Sequence, residues 1–271
     1  MRSATWIKIK AVCKCGKEFE TGHWEKDGAV LSKDGEACRE CAEKQFAVQR
    51  IKDGEAKLPA IIKETKEEWL YNCGLKDKYR EKTFANFNQK AQPAAYKVMK
   101  AYDGTRSIIL SSPDLYGVGK THLVAALINQ LIENANGAHL DKFGEIHCHW
   151  NPIEFTTESE ILNRLRATYN HHREDERHHE TEEEVYRSLM SIRHLFIDDV
   201  GKIRPYDYSF LQGVYYQIID SRYCSDAPIV ITTNLSLEEL EKHIGGACAD
   251  RLREMCGKEN IITMTGKSQR K

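Results

Sequence analysis

Long apolar runs are missing from this chain. Nothing in its 271 residues approaches the roughly 20 consecutive apolar residues of a membrane-spanning helix, which excludes a helical membrane protein. The opening residues, MRSATWIKIK, lack the apolar core of a signal peptide, so a cytoplasmic location is expected. An excess of charge of either sign is missing as well. Lys and Arg number 40 against 41 Asp and Glu, for a net charge of −1. Overall charge therefore points to no polyanion partner, and any nucleic-acid contact has to come from a local basic patch.

Cysteine, in contrast, is plentiful. Nine is an odd and fairly high count. Without an export signal the thiols are expected to be reduced, so clustered ones point to metal rather than to disulfides. Cys13-Lys-Cys15-Gly16 and Cys38-Arg-Glu-Cys41 form two close pairs separated by a glycine-containing segment. Each pair can span one edge of a tetrahedron, and thiolates suit Zn²⁺, so Cys13, Cys15, Cys38 and Cys41 are candidate ligands. The C-x-C spacing of the first pair is less usual than C-x₂-C, which leaves His23 as an alternative ligand. A module this small has little core, and metal would supply much of its folding energy.

With 41% hydrophobic and 30% charged residues, the remainder reads as an ordinary globular chain, long enough for one α/β domain beside that module. Residues 42–82 read as helix, with a break at Gly54 and Pro59. They form a charged, amphipathic connector, and Cys73 in it has no nearby ligand partner.

The organising stretch is Arg106–Ile132. Ile108, Ile109 and Leu110 read as a buried strand. A loop with Asp114, Gly117, Gly119, Lys120 and Thr121 follows, and then LVAALINQLI on a helical period. Strand, glycine loop ending in Gly-Lys-Thr, and helix make the context of a phosphate-binding loop. Glycines let backbone N–H groups curl around phosphate oxygens, and the helix N-terminus adds partial positive charge. Lys120 is placed to reach the β- and γ-phosphates, and the Thr121 hydroxyl to bind Mg²⁺. Asp114 stands where the usual first glycine would be; Asp tolerates a left-handed backbone better than most residues.

Downstream, His194–Gly201 (HLFIDDVG) is an apolar strand tipped by two acids. Asp198 is expected to hold the Mg²⁺ shell and Asp199 to polarise the attacking water. Ala227–Asn234 (APIVITTN) is a buried strand ending in an amide that can orient water or sense a γ-phosphate. EIHCHW (145–150) reads as a strand. Successive strand residues face opposite sides, so His147, Cys148 and His149 are not expected to converge on a metal. Phe155–Tyr169 reads as an amphipathic helix behind a Thr/Ser cap. Arg164, Arg166, Arg173 and Arg177 beside Tyr169 are candidates for a single-stranded DNA contact, with a solvated helix as the alternative.

Taken together, YGVGKTHL (116–123), LFIDDVG (195–201), VITTNLS (230–236), DRLREM (250–255) and GKSQR (266–270) resemble the AAA+ helicase loaders of the DnaC/DnaI type, and YREKTFANF (79–87) resembles the approach to their ATPase domain. The resemblance implies an α/β, doubly wound parallel-sheet P-loop ATPase core without a separate lid. It implies ATP, bound by Tyr116, Gly117, Val118, Gly119, Lys120, Thr121 and His122, with Mg²⁺ on Thr121 and Asp198. It implies Asp199 as the second acid, Asn234 as sensor 1, and Arg251 as an arginine finger acting across a subunit interface. The implied partners are a hexameric replicative helicase, single-stranded DNA and further copies of the chain, with no membrane. The expected domains are a zinc module at 1–46, a helical connector at 47–85 and the ATPase domain at 86–271. IstB-like transposition ATPases share these motifs and form the alternative. A non-hydrolysing nucleotide-binding adaptor is a third reading, against which Asp198, Asp199, Asn234 and Arg251 all argue. No N-K-x-D element is present, which argues against guanine specificity.

Overall fold

The computed structural model describes residues 4–26, 29–33, 37–169, 180–203 and 207–269. Its first elements are β1 (Thr5–Val12), β2 (Glu18–Lys26), β3 (Ala29–Lys33), α1 (Arg39–Asn72), α2 (Asp77–Arg80) and α3 (Pro93–Lys100). Then come β4 (Ile108–Ser111), α4 (Lys120–Asn134), β5 (Ala138–Leu140), β6 (Ile146–Cys148), β7 (Ile153–Thr157) and α5 (Glu158–Tyr169). The last are α6 (Glu182–Ser191), β8 (His194–Val200), α7 (Tyr208–Cys224), β9 (Ile229–Thr233), α8 (Leu237–Ile244), α9 (Gly246–Cys256) and β10 (Ile261–Thr263). The chain divides into two compact units, residues 1–65 with 136–149, and residues 66–135 with 150–271.

In the first unit, β1, β2 and β3 form an antiparallel meander. Trp6 and Trp24 face each other across β1 and β2, with ring centroids 5.4 Å apart. Helix α1 runs unbroken through Gly54 and Pro59, where the sequence had suggested a break, and through the expected boundary between residues 46 and 47. Gly54 is present for packing. A Cβ there would lie 2.5 Å from Leu140 Cδ1, so the missing side chain makes room for the β5–β6 hairpin.

That hairpin is a second departure. The strand read in EIHCHW does form, as β6, but it pairs antiparallel with β5 in a two-stranded sheet of its own. The strand that enters the large sheet is β7. Its residues, Ile153–Thr157, include the Phe155–Thr157 segment expected to begin a helix; α5 begins only at Glu158. The polar FTTESE pattern does mark the helix start: Thr157 Oγ1 accepts the Glu160 N–H at 3.2 Å. Phe155, however, is drawn into a buried parallel strand beside β8.

The second unit holds a five-stranded parallel sheet in the order β10-β4-β9-β8-β7. Strand periodicity distributes its side chains between two cores. Ile108, Leu110, Phe196 and Val230 pack with Met99, Leu123, Leu127 and Ile128 from α3 and α4. Ile109, Leu195, Ile197, Ile229 and Ile231 pack on the other face with Leu165, Leu189, Ile218, Leu240 and Leu252 from α5 to α9. The sheet is thus doubly wound, as expected. Among the described residues no separate lid follows β10.

One buried cation secures this second face. Arg222 on α7 is fully buried, and its guanidinium donates to the carbonyls of Leu189 (2.8 Å), Ile192 (2.9 Å) and Pro228 (2.6 Å). It satisfies carbonyls that the C-terminus of α6 leaves without intrahelical partners. Burial pulls its pKa down to about 10, which still leaves it charged at neutral pH.

Candidate nucleotide site and cysteine cluster

The β4 strand runs into a turn in which Leu115 N–H donates to Ser112 O at 3.0 Å. Pro113 occupies the second turn position and Asp114, with φ of 54°, the third. Proline followed by a left-handed residue is the pattern of a type II turn. Asp114 thereby takes the conformation that a glycine would supply, and its side chain is exposed, outside the lining of the cleft. Gly117 and Gly119 follow with φ of 74° and 107°, which turns the chain into the N-terminus of α4. A Cβ on Gly119 would also come within 2.7 Å of the Phe87 ring.

Lys120 is buried at the first position of α4. Its ammonium donates to Ser112 Oγ and, at 2.6 Å, to Asn234 Oδ1. Thr121 Oγ1 donates to Asp198 Oδ2 at 2.9 Å, and Thr232 Oγ1 to Asp198 Oδ1 at 2.5 Å. Asp198 is 4% exposed, and burial pushes its carboxyl pKa up against the opposing effect of these hydroxyls and of Lys120. Side chains from the ends of β4, β8 and β9 and the start of α4 therefore meet at one point. This is the carboxyl end of a parallel sheet, where such folds place ligands.

Asp199 turns away from its neighbour. The register between β8 and β9 shifts between Ile197 and Val200, and Asp199 has φ of 56°. A bulge of this kind re-aims a side chain. The Asp199 carboxylate accepts from Lys202 Nζ at 3.0 Å, while its N–H donates to Thr232 Oγ1 at 3.1 Å. Gly201 is the next left-handed residue, and its N–H donates to Glu158 Oε2 at 3.3 Å. The same oxygen accepts from Tyr215 Oη at 2.9 Å and meets His243 Nε2 at 2.7 Å, a buried network behind the acidic loop.

A cleft of about 1080 Å³ opens over this point, with Asp198 buried behind its lining. Lys120, Thr121, Asp199 and Asn234 line it together with Tyr116, Gly117, Val118, Gly119 and His122, all of them candidates from sequence. Tyr79, Asn86 and Phe87, from the approach segment, line it too. His122 Nε2 lies 2.9 Å from Asn86 Oδ1 and 3.1 Å from Thr83 O, with its ring edge-on to Phe87, so it ties the approach segment to α4. Burial lowers its pKa, which favours the neutral ring. Aromatic side chains next to a phosphate loop were the available sequence signal for this wall.

The remaining candidates lie apart. Arg251 on α9 does not line the cleft. It pairs with Asp220 at 2.8 Å and lies over the Tyr216 ring at 5.1 Å, both on α7. Arg253 pairs with Glu241. Arg164 is engaged by Glu154 at 2.7 Å, by Glu180 and by Ser188. Arg166 and Tyr169 are exposed, whereas Arg173 and Arg177 lie outside the described residues.

In the first unit, the sulfurs of Cys13, Cys15, Cys38 and Cys41 all lie within 4.8 Å of one another, with Cys15 and Cys38 3.6 Å apart. Gly16, at φ of 88°, closes a tight turn by donating to Cys13 O at 2.8 Å. Cys38 stands just before α1, so the second pair opens that helix. Backbone N–H donation from Cys15 and Cys38 pulls the Cys13 thiol down to about 6. Hydrogen bonding with the other three thiols, Cys15 first, pushes Cys41 up to about 12. A four-thiol set with one group already near its thiolate fits Zn²⁺. His23 is outside the cluster and faces Glu25 at 3.6 Å.

A parallel sheet in this order, with a phosphate loop after its second strand and an acid-tipped strand two places away, defines the class: an AAA+ P-loop domain. The AMPPCP-bound DnaA of Aquifex aeolicus shares the fold at a TM-score of 0.50 and 17% identity, over 70% of this chain and 51% of that one. More specifically, the chain is similar in sequence to a replicative helicase loader. It is 25% identical over 247 residues to the replicative helicase loader DnaC of Escherichia coli K12, covering 90% of this chain and 83% of DnaC. It is also 22% identical to the uncharacterized protein YdaV of the same organism, over 69% of this chain and 67% of YdaV. No protein-family model matches the chain.

Proposed function

We propose that this chain is an ATP-dependent loader that places a hexameric replicative helicase on single-stranded DNA, with ATP hydrolysis as the switch. The observation that carries the reading is the likeness to DnaC along 90% of the chain, and it is supported by the meeting of Lys120 with Asn234 and of Thr121 with Asp198. Lys120 and the N–H groups of the Gly117–Thr121 turn would hold the ATP phosphates. The Thr121 hydroxyl and the Asp198 carboxylate, hard oxygen donors 2.9 Å apart, fit Mg²⁺, which when bound would neutralise charge on the phosphates. Asp199 would polarise the attacking water, and Asn234 would orient it.

Arg251 lies away from its own chain's cleft, which suits a finger that serves a neighbouring copy. Release from Asp220 and the tyrosines would be the cost of using it. The four-thiol cluster would hold Zn²⁺ in an N-terminal module, taken as residues 1–46 ahead of a connector at 47–85 and an ATPase domain at 86–271. That module would dock on the helicase. Single-stranded DNA would meet Arg166 and Tyr169, joined by Arg173 and Arg177. No described helix is long and apolar enough to cross a membrane.

The test is loading itself. Purified host replicative helicase, circular single-stranded DNA and ATP are mixed with the wild-type chain or with Lys120→Ala. Helicase retained on the closed circle with wild type, and not with the variant, is the expected result. If the helicase neither binds the chain nor loads, while a transposase encoded beside the chain does bind it, the IstB-like reading takes its place.

A further inference from the structure

We infer that Glu158 is a positioning residue for hydrolysis, a buried carboxylate that fixes the loop carrying Asp199; the inference rests on the ATPase reading above. Thr157, the last residue of β7, is the register partner of Asp198, so the chain delivers Glu158 to the level of the acids at the tip of β8. Glu158 opens α5 and is 2% exposed. A carboxylate so deeply buried is costly unless polar partners surround it. Its Oε2 accepts from the Gly201 N–H (3.3 Å) and the Tyr215 hydroxyl (2.9 Å), and it meets His243 Nε2 at 2.7 Å. Burial and the Glu158 charge push the Tyr215 pKa well up, so that hydroxyl stays a donor. Oε1 has no partner among the described residues, so the hold runs through Oε2. Neither Glu158 nor any of these three partners lines the cleft. The carboxylate therefore acts through the backbone and not on the nucleotide.

The acidic loop is gripped from two sides. From β9, Thr232 Oγ1 accepts the Asp199 N–H at 3.1 Å, and Thr233 Oγ1 donates to Val200 O at 2.7 Å. From α5, Glu158 holds the Gly201 N–H. Gly201 cannot retreat toward β9, because a Cβ there would already overlap Leu235 Cδ1. Leu235 directly follows Asn234, and His243 lies on α8, the helix entered after that turn. One carboxylate thus links the segments that follow Asp199 and Asn234, the two groups assigned to the attacking water. Hydrolysis depends on their relative placement, and a misplacement of about 1 Å can cost about 10²-fold in rate.

The test compares three variants of the full chain. Glu158→Asp keeps the charge but shortens the reach to Gly201. Glu158→Gln keeps the reach and an acceptor oxygen but removes the charge. Leu162→Ala destabilises the same helix from the core and touches none of these groups. Phosphate release, equilibrium ATP binding, calorimetry and hydrogen exchange over residues 199–203 are measured on each. Glu158→Asp is expected to lower turnover by up to about 10²-fold with ATP affinity unchanged, and to speed exchange over 199–203. Glu158→Gln should restore turnover toward wild type, and Leu162→Ala should lower the melting temperature alone. Wild-type turnover in Glu158→Asp overturns the inference. So does an equal loss of turnover in Leu162→Ala at a similar loss of stability. If the wild-type chain releases no phosphate, the hydrolysis reading itself falls, and exchange alone decides whether Glu158 holds the loop: unchanged exchange in Glu158→Asp excludes it.

Discussion

Lys120 Nζ and Asn234 Oδ1 are 2.6 Å apart, although 114 positions separate them in the chain. The cation of the phosphate loop and the amide at the tip of β9 therefore hold each other at the mouth of the cleft. An arriving γ-phosphate would take the lysine and free the amide. Lys120→Ala is expected to abolish ATP binding, and Asn234→Ala to keep binding while slowing hydrolysis. Equilibrium binding of a fluorescent ATP analogue and steady-state phosphate release separate the two. Equal ATP affinity in Lys120→Ala and wild type would contradict the first claim.

Asp199 gives a different prediction, because it stands on the β8 bulge and is paired with Lys202. Asp199→Asn should leave ATP affinity intact and cut turnover about 10²–10⁴-fold, the usual worth of a general base. Unchanged turnover would remove this carboxylate from the chemistry.

Arg251 is tested by mixing. Arg251→Ala keeps an intact phosphate loop, and Lys120→Ala keeps the arginine. If the guanidinium acts on a neighbouring copy, the two inactive proteins recover part of the ATPase activity together. An arginine finger is typically worth about 10³–10⁵ in rate. Full activity in Arg251→Ala alone, at concentrations where wild type assembles, would leave only its packing on Asp220, Tyr216 and Tyr223.

The cysteine cluster predicts one thiolate-bound zinc ion. Cys38→Ser/Cys41→Ser should lose it, together with the order of the N-terminal meander, and leave the thermal transition of the ATPase unit in place. Metal analysis and calorimetry read the two effects. Full zinc occupancy in the double variant would refute the assignment.

His194 gives a pH dependence. It is buried, with its ring 2.7 Å from where a Cβ on Gly104 would lie, and burial pulls its pKa down to about 4. The unfolded chain, at an ordinary pKa of about 6.5, binds this proton first. Stability is therefore fully present above about pH 6.5 and is lost as the pH falls toward 4, by at most about 3 kcal/mol from this group. His194→Gln should flatten the urea midpoint against pH across that window. An unaltered slope would assign the acid sensitivity to other groups.

The short-range chemistry of this protein was readable from residue order. Gly-Lys-Thr between an apolar strand and a helical period, and two acids at the tip of another strand, carry their own geometry within a few residues. So do two cysteine pairs on tight turns. Gly54 and Pro59 misled because their meaning is not local. Gly54 answers to Leu140, 86 positions later in the chain, and α1 passes through both. FTTESE misled in the same way, because parallel pairing with β8 outweighs its helix-start signal as far as Thr157.

Sequence by itself thus named the residues whose chemistry suits phosphate, thiophilic metal and water, because those capacities follow from side-chain type and from backbone freedom at glycine. Tertiary structure alone decided who meets whom. Burial and strand register brought Thr232 onto Asp198 and took Arg164 away into ion pairs with Glu154 and Glu180. Period-two alternation correctly separates Cys148 from its two histidine neighbours. Only the antiparallel register of the hairpin adds His139 to their face, because cross-strand pairing joins positions that no periodicity along one strand can relate.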